Sequence, residues 1–290
     1  MLLALYVEIN VKIITFLCAN KVDKMSIRLN NASRKNVARL AILSIGINYK
    51  NQASELHGCI NDSNNVLTFL RARCGANIQA VVQMTDNTAL APTRQNIENA
   101  FKDLVAKQNQ YTHMIVHYSG HGTQIRDINQ DEPDGLDECI VPLDYTTAGV
   151  VTDDWLLSMF VNKLNSKMRV FILMDACHSS SMMDLKYSWN LTKAGNALYP
   201  VAARSLCKTN ANVIMLSGCL DNNVSYDVYD NIYGASGALT SAFLQTLSKN
   251  PTIPWGTLLW RLRSLLSKYR QFPQLSSTIN KAPAFFTDLL

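Results

Sequence analysis

The chain has 290 residues, of which 48% are hydrophobic and 17% are charged, against about 25% charged in an average soluble domain. This is the composition of a globular protein with a large core. The formal net charge is +5 and the Lys and Arg residues are dispersed, so charge alone predicts neither nucleic acid nor a membrane surface as a partner.

The seven cysteines are widely spaced and include no Cys-x-x-Cys pair, which argues against a zinc ribbon and a disulfide framework. A cytoplasmic protein is therefore expected. Residues 1–37 are predicted to be an N-terminal extension. Its first part is mostly apolar, but apolar and polar residues alternate over 7–13, which disfavours a membrane helix or a signal peptide. It either adds an edge strand or is an upstream segment ahead of Met25.

Residues 38–290 are predicted to form one domain in which strands and helices alternate. The strands are predicted over 39–46, 80–84, 111–118, 169–174 and 212–217, and the helices over 62–73, 93–107, 153–164, 237–247 and 257–269. Shorter extended pieces are expected over 139–143, 149–151 and 273–277, and 184–212 is predicted to be a loop. This alternation predicts an α/β fold with a mostly parallel sheet covered by helices on both faces.

Two of the predicted strands end in residues that can perform chemistry. The third strand is followed by Ser119-Gly-His-Gly, and the fourth by Asp175-Ala-Cys-His-Ser. In parallel sheets, ligands bind beyond the carboxyl ends of the strands. A nucleophilic cysteine requires a nearby imidazole, because the thiolate is the reactive form. His121 and Cys177 are therefore predicted to form a catalytic dyad, with the glycines on either side of His121 permitting a tight turn.

An ordered set of segments along residues 38–290 resembles the metacaspases, the Arg/Lys-directed branch of the caspase-like cysteine peptidases. The segments are AILSIGINY (41–49), LHGCINDSNNV (56–66), YSGHGTQIRDINQDEPDGLDE (118–138), VTDDWL (151–156), DACHSS (175–180), LSGCLDNNVSYD (216–227), GALTSAFLQTL (237–247) and QFPQLSS (271–277). The resemblance implies a caspase-like three-layer sandwich. It also implies that His121 and Cys177 are catalytic, with the backbone N–H groups of Gly122 and Cys177 as oxyanion donors.

The predicted substrate pocket is acidic. Asp175 precedes the nucleophile by two residues, where caspases carry Gln, so it can pair with an Arg or Lys side chain before the scissile bond. The resemblance adds Cys59, Asp62 and Ser119 to the pocket. Asp62 is also open to a second interpretation, as the N-cap of a helix.

Calcium is the one cofactor that the resemblance implies. The matching ligand positions are Asp153, Asp154, Asp184 and Asp137, whose hard carboxylate oxygens suit calcium. The alternative is that Asp153 only caps a helix and that the other carboxylates are solvated loop charges.

The resulting prediction is a calcium-stimulated cysteine endopeptidase that cleaves after Arg or Lys in protein substrates. It is expected to be a monomer that binds neither nucleic acid nor membrane. Self-cleavage is expected within 184–212, which contains Lys186, Lys193, Arg204 and Lys208. A caspase-fold scaffold without turnover is the alternative. It is motivated by Ser180, which replaces a family glycine and would strain the turn if that glycine has a positive φ.

Overall fold

The computed structural model describes residues 38–281 except 131, 133, 134, 178, 180, 194, 196, 204, 219–226 and 231–233. For 227–230, 234 and 235 it describes the backbone alone. The predicted N-terminal extension therefore lies outside the described residues, as do Ser180 and Arg204. None of the described helices has the length and apolar character needed to cross a membrane.

Thirteen strands are present in the described part of the chain. In chain order they are β1 (Leu40–Gly46), β2 (Ile78–Thr85), β3 (His113–Ser119), β4 (Gly122–Arg126), β5 (Leu136–Ile140), β6 (Val151–Thr152), β7 (Arg169–Asp175), β8 (Tyr187–Leu191), β9 (Leu198–Ala202), β10 (Asn212–Ser217), β11 (Asp227–Asp230), β12 (Gly234–Gly237) and β13 (Gln274–Ser277). Eight of them form the central sheet in the order β2-β1-β3-β7-β10-β13-β8-β9. The pairs from β2 to β10 are parallel, and the remaining three pairs are antiparallel.

Helices cover both faces of this sheet. They are α1 (Cys59–Cys74), α2 (Arg94–Ala106), α3 (Tyr145–Ala148), α4 (Asp153–Met159), α5 (Ala238–Lys249) and α6 (Trp255–Leu266). Side chains alternate along each strand, so one face packs against α2 and α4 and the other against α1, α5 and α6. The predicted α/β class and the parallel centre of the sheet are confirmed.

The loop predicted for 184–212 is wrong over β8 and β9, which form an antiparallel hairpin at the edge of the sheet. In β8 only Trp189 is buried, and the exposed Tyr199 and Val201 alternate with half-buried residues in β9. An edge hairpin with this little burial lacks the apolar periodicity that marks a strand in sequence. Backbone pairing with β13, which is remote in sequence, holds it in place.

The start of α1 also differs from the prediction. The helix begins at Cys59, three residues before the expected start, and its N-cap residue is Gly58. Asp62 lies inside the first turn, where its backbone N–H donates to the carbonyl oxygen of Gly58. The N-cap interpretation of Asp62 is therefore wrong, and its carboxylate is available for contacts across the fold.

Three neighbouring parallel strands end at the same level. Gly46 of β1 pairs in register with Ser119 of β3, which in turn pairs with Asp175 of β7. The segments that follow β3 and β7 therefore leave the sheet side by side. This edge of the sheet carries the candidate site.

Candidate active site

His121 and Cys177 occupy equivalent places on adjacent strands, each two residues beyond the registered pair Ser119 and Asp175. The backbone N–H of Gly120 donates to the carbonyl oxygen of Asp175 at 3.3 Å, which continues the contact past the strand ends. The two segments are still in contact at Gly122 and Cys177, since a Cβ at position 122 would overlap the carbonyl oxygen of Cys177. Cys177 is half-buried.

The His121 imidazole is held by the loop that follows β1. Its Nε2 lies 2.6 Å from the carbonyl oxygen of Ser54. A carbonyl oxygen can only accept, so Nε2 carries a proton and Nδ1 of the neutral ring is the basic nitrogen. The ring also packs against Tyr49, with 4.7 Å between ring centroids and 36° between the planes. These contacts fix both the tautomer and the orientation of the imidazole.

The glycines on either side of His121 allow neighbouring groups to pack closely against the backbone. They do not form the tight turn expected from the sequence. Neither Gly120 nor Gly122 has a positive φ. A Cβ at position 120 would lie 2.7 Å from the hydroxyl oxygen of Tyr118 and 3.0 Å from that of Tyr49. Gly120 thus leaves room for two phenols, and Gly122 leaves room for the backbone of Cys177.

The structure brings together the three polar pocket residues predicted from the sequence. Asp62, Ser119 and Asp175 are all buried, and the Ser119 hydroxyl donates to Oδ2 of Asp62 at 2.6 Å. Cys59, the fourth predicted residue, is buried one helical turn before Asp62.

Backbone N–H groups at the start of α5 bind both pocket carboxylates. The N–H of Gly237 donates to Oδ2 of Asp62 at 2.9 Å, and that of Thr240 donates to Oδ2 of Asp175 at 2.8 Å. The first turn of a helix attracts negative charge, so this arrangement stabilises the ionised carboxylates. With exposures of 0% for Asp62 and 3% for Asp175, the start of α5 covers the pocket in this conformation.

A second acidic group lies near the segment that follows Cys177. Carboxylate oxygens of Glu132, Asp153 and Asp184 all lie within 4.8 Å of one another. Burial raises the pKa of Asp153 to about 8, and repulsion from Glu138 and Asp137 adds to the shift. Hydrogen bonds from the backbone N–H groups of Glu138 and Asp154, each at 2.7 Å, oppose it. The group can offer three oxygen ligands to a hard cation.

The metacaspase peptidase C14 domain model matches residues 40–186. The chain belongs to the metacaspase family. It is 34% identical to metacaspase-1 of Kluyveromyces lactis, over 82% of this chain and 66% of that protein. It is 36% identical to metacaspase-1A of Neurospora crassa, over 83% of this chain and 63% of that protein. The matches thus span slightly less than two thirds of each relative's length.

Solved structures resemble this metacaspase in fold. A Geobacter sulfurreducens protein gives a TM-score of 0.59 at 22% identity and covers 85% of this chain and 96% of its own. Caspase-1 of Spodoptera frugiperda gives a TM-score of 0.51 at 13% identity, covering 84% of this chain and 88% of its own. The caspase-like sandwich expected from the sequence is confirmed.

Two of the four predicted metal ligands lie in the acidic group, and the other two lie outside it. Asp153 and Asp184 belong to the acidic group, and Glu132, which the sequence analysis did not select, completes it. Asp154 instead accepts a hydrogen bond from Nδ2 of Asn129 at 2.7 Å, and Asp137 is buried in β5 outside the group. Asp153 does not cap α4, because the N-cap residue is Thr152, whose hydroxyl accepts the N–H of Trp155.

Sequence reasoning also missed the residues that hold His121 in this metacaspase. Tyr49 and Ser54 are far from His121 in sequence, and Ser54 acts through its backbone carbonyl oxygen, which every residue type has. Tyr118 is close in sequence but lies inside an apolar strand, where the pattern indicates a core residue. The one available signal was that Tyr49 and Tyr118 both lie inside segments that carry the family resemblance. The role of Tyr49 follows from a contact across 72 residues of sequence, which no local pattern predicts.

Proposed function

We propose that this metacaspase is a cytoplasmic cysteine endopeptidase that cleaves after Arg or Lys in protein substrates. The observation that carries the proposal is the contact between the Gly122 and Cys177 backbones, at the ends of adjacent parallel strands. It supports a dyad in which an oriented imidazole and a half-buried thiol lie on the same rim.

The proposed chemistry uses the imidazole of His121, the thiol of Cys177 and two backbone N–H groups. Nδ1 of His121 takes the thiol proton of Cys177, and the sulfur attacks the carbonyl carbon of the scissile peptide bond. The N–H groups of Gly122 and Cys177 stabilise the oxyanion, and one such donor contributes about 3 kcal/mol. The imidazolium then gives its proton to the leaving amine. Water hydrolyses the thioester, releasing the acid product and restoring the thiol.

The substrate preference rests on the two pocket carboxylates. Asp62 and Asp175 are buried together beside the dyad, and charge-assisted pairing with a guanidinium or ammonium is stronger than a neutral hydrogen bond. Gly237 and Thr240 now donate to these carboxylates, so binding of a basic side chain requires the start of α5 to move aside. We therefore place the Arg/Lys pocket at this junction.

Calcium is the proposed activator, and the acidic group fits a hard cation. Burial and the neighbouring carboxylates disfavour the ionised form of Asp153, and a bound dication would favour it by pairing with the negative charge. Asp184 lies in the segment that follows Cys177. The hydroxyl of Ser181, in the same segment, donates to Oε2 of Glu138 in β5 at 2.5 Å. Binding at the group would therefore order the segment that carries the nucleophile.

The test is hydrolysis of matched fluorogenic peptides ending in Arg, Lys or Asp, with and without calcium. Wild type, Cys177→Ala and Cys74→Ala are compared, since Cys74 is a buried cysteine at the far end of α1. We expect calcium-dependent cleavage of the Arg and Lys peptides by wild type and Cys74→Ala alone. Preference for Asp would refute the pocket. Turnover that survives in Cys177→Ala would refute the dyad, and no turnover at all would favour a caspase-fold scaffold.

Self-cleavage is proposed within 184–212, and the structure favours two of its basic residues. Lys193 is exposed in the turn of the β8–β9 hairpin, and Lys208 is exposed before β10. Lys186 is half-buried and its Nζ donates to the carbonyl oxygen of Thr209 at 3.0 Å, so it is a poor substrate. N-terminal sequencing of fragments formed by wild type with calcium, against Lys193→Gln and Lys208→Gln, identifies the site. Intact wild type that still cleaves peptides would refute required processing.

A further inference from the structure

We propose that Tyr49 and Asp86 are positioning residues for His121, with Asp86 clamping the backbone on both sides of Tyr49 and Tyr49 holding the histidine. This inference rests on the proposed dyad. It assigns a role to a buried phenol and a half-buried carboxylate that lie outside the dyad and the substrate pocket.

The Tyr49 side chain contacts His121 in two ways. Its hydroxyl accepts the backbone N–H of His121 at 3.0 Å, and its ring packs against the imidazole. The same hydroxyl donates to the carbonyl oxygen of Val141 at 2.6 Å. Burial raises the pKa of Tyr49 well above its usual value, so the phenol stays neutral and keeps the proton that it donates. One side chain thus fixes both the backbone and the ring of the histidine.

Tyr118 completes a bridge between two backbone segments. Its hydroxyl donates to the carbonyl oxygen of His121 at 2.7 Å and accepts the N–H of Val141 at 3.2 Å. The N–H of Val141 also approaches the carbonyl oxygen of His121 at 3.2 Å. The two phenols therefore satisfy the polar backbone groups of His121 and Val141 in the core, where an unmade hydrogen bond would cost about 1–3 kcal/mol.

The backbone of Tyr49 is itself strained. Its φ of +53° is in the left-handed region, which a bulky residue rarely adopts and which costs about 1–3 kcal/mol. Asp86 holds the chain in this conformation from both sides. Its Oδ1 accepts the N–H of Asn48 at 2.8 Å, and its Oδ2 accepts the N–H of Lys50 at 3.0 Å.

The hydrogen bonds of Asp86 also support the second contact of the imidazole, which is made by Ser54. Ser54, whose carbonyl oxygen accepts from Nε2 of His121, belongs to the same loop as Tyr49. The loop is closed by the N–H of Leu56, which donates to the carbonyl oxygen of Asn48 at 2.7 Å. Loss of the Asp86 carboxylate therefore releases the backbone that carries both contacts. A displacement of about 1 Å at a catalytic group can cost about 100-fold in rate.

The experiment compares Asp86→Ala, Tyr49→Phe and Tyr49→Leu with wild type. Asp103→Ala and Tyr111→Phe are matched controls, because Asp103 is an exposed carboxylate on α2 and Tyr111 is a half-buried phenol before β3. Active sites are first titrated with an irreversible thiol reagent, so that kcat is expressed per competent enzyme. Thermal unfolding is measured in parallel.

We expect Asp86→Ala and Tyr49→Leu to lower kcat per titrated site about 10–100-fold, with KM within about twofold of wild type. Tyr49→Phe keeps the ring contact and is expected to lose about 3–10-fold. The controls should match wild type. A purely structural role would lower the titrated fraction and the unfolding temperature but leave kcat per titrated site unchanged, and that result would overturn the proposal.

A second readout does not need turnover. The rate of Cys177 alkylation by iodoacetamide is compared between wild type, His121→Ala and the Tyr49 and Asp86 variants. If the proposal holds, Asp86→Ala lowers the rate of Cys177 alkylation almost as much as His121→Ala does. If wild type has no peptidase activity but this pattern appears, the proposed function fails and the positioning role stands. Alkylation that depends on His121 but not on Asp86 or Tyr49 would refute the positioning role alone.

Discussion

Gly122 and Cys177 leave different strands, yet the carbonyl oxygen of Cys177 occupies the space that a Cβ at position 122 would need. The contact is between two backbones, so neither side can yield by a change of rotamer. It sets the separation between the segment that carries His121 and the segment that carries Cys177. The side chain at position 122 is therefore limited to a hydrogen atom by packing against the backbone of Cys177.

Gly122→Ala is expected to reduce peptidase activity by about 100-fold or more, because the methyl group pushes the two segments apart. Steady-state kinetics on an Arg peptide measures the loss. Gly75→Ala is the matched control: Gly75 has φ −47° at the end of α1, and a Cβ there meets no atom within 4 Å. This control should keep full activity and gain about 0.4–1 kcal/mol in stability. Equal activity of the two variants would contradict the packing argument.

Asp175→Asn tests the charge of the pocket while preserving its shape. The amide oxygen of Asn can still accept the N–H of Thr240, so we expect the unfolding temperature to change little. Loss of a buried charge pair with the substrate typically costs about 2–5 kcal/mol, and a loss of about 3 kcal/mol lowers kcat/KM for an Arg peptide by roughly 100-fold. Asp103→Asn, an exposed carboxylate on α2, is the control. An unchanged kcat/KM in Asp175→Asn would show that its role is to bind α5.

The sequence was most informative where strands are buried on both faces. The strands β1, β3, β7 and β10 are mostly apolar, and the sequence predicts each to within two residues of its bounds. Because parallel strands end at one edge, the sequence predicts that His121 and Cys177 lie on the same rim if their strands are neighbours, and β3 and β7 do pair. The dyad prediction needed no side-chain geometry.

Contacts between remote and irregular segments could not be predicted. Glu132 joins Asp153 and Asp184 only because the loop that follows β4 folds back, with Asp127 accepting the N–H groups of Gln130 and Glu132. The cover that α5 provides over the pocket likewise depends on packing between segments 175 residues apart. Such contacts leave no periodic signal in the sequence.

The proposed calcium site predicts which carboxylates would control the affinity for calcium. We expect Glu132→Gln and Asp184→Asn to weaken calcium binding at least about tenfold, because each removes a charged oxygen ligand. Asp154→Asn should have a smaller effect, because that carboxylate already binds Asn129. Isothermal titration with calcium alone measures affinity without reference to activity. A larger loss in Asp154→Asn than in Glu132→Gln would contradict the grouping.

His117 predicts a pH dependence of stability. It is fully buried in β3, where its Nδ1 lies 3.0 Å from the hydroxyl of Ser44, and burial lowers its pKa from 6.5 to about 3. The folded protein therefore holds a neutral imidazole between pH 6.5 and about 3, while the unfolded chain takes up a proton there. The stabilisation is complete above pH 6.5 and is lost as the pH falls, by about 1.4 kcal/mol per pH unit.

His117→Gln is expected to flatten this dependence. Urea unfolding at about pH 7, 6 and 5 gives the free energy of unfolding, and the wild-type value should fall by about 1–2 kcal/mol more than that of the variant over this range. His57→Gln is the control, because the His57 side chain is exposed and lies outside the core around Ser44. A constant offset between wild type and His117→Gln at every pH would mean that His117 is already protonated in the folded state or is not buried in solution. Comparing slopes rather than absolute stabilities keeps the test valid if the substitution also disturbs the packing around Ser44.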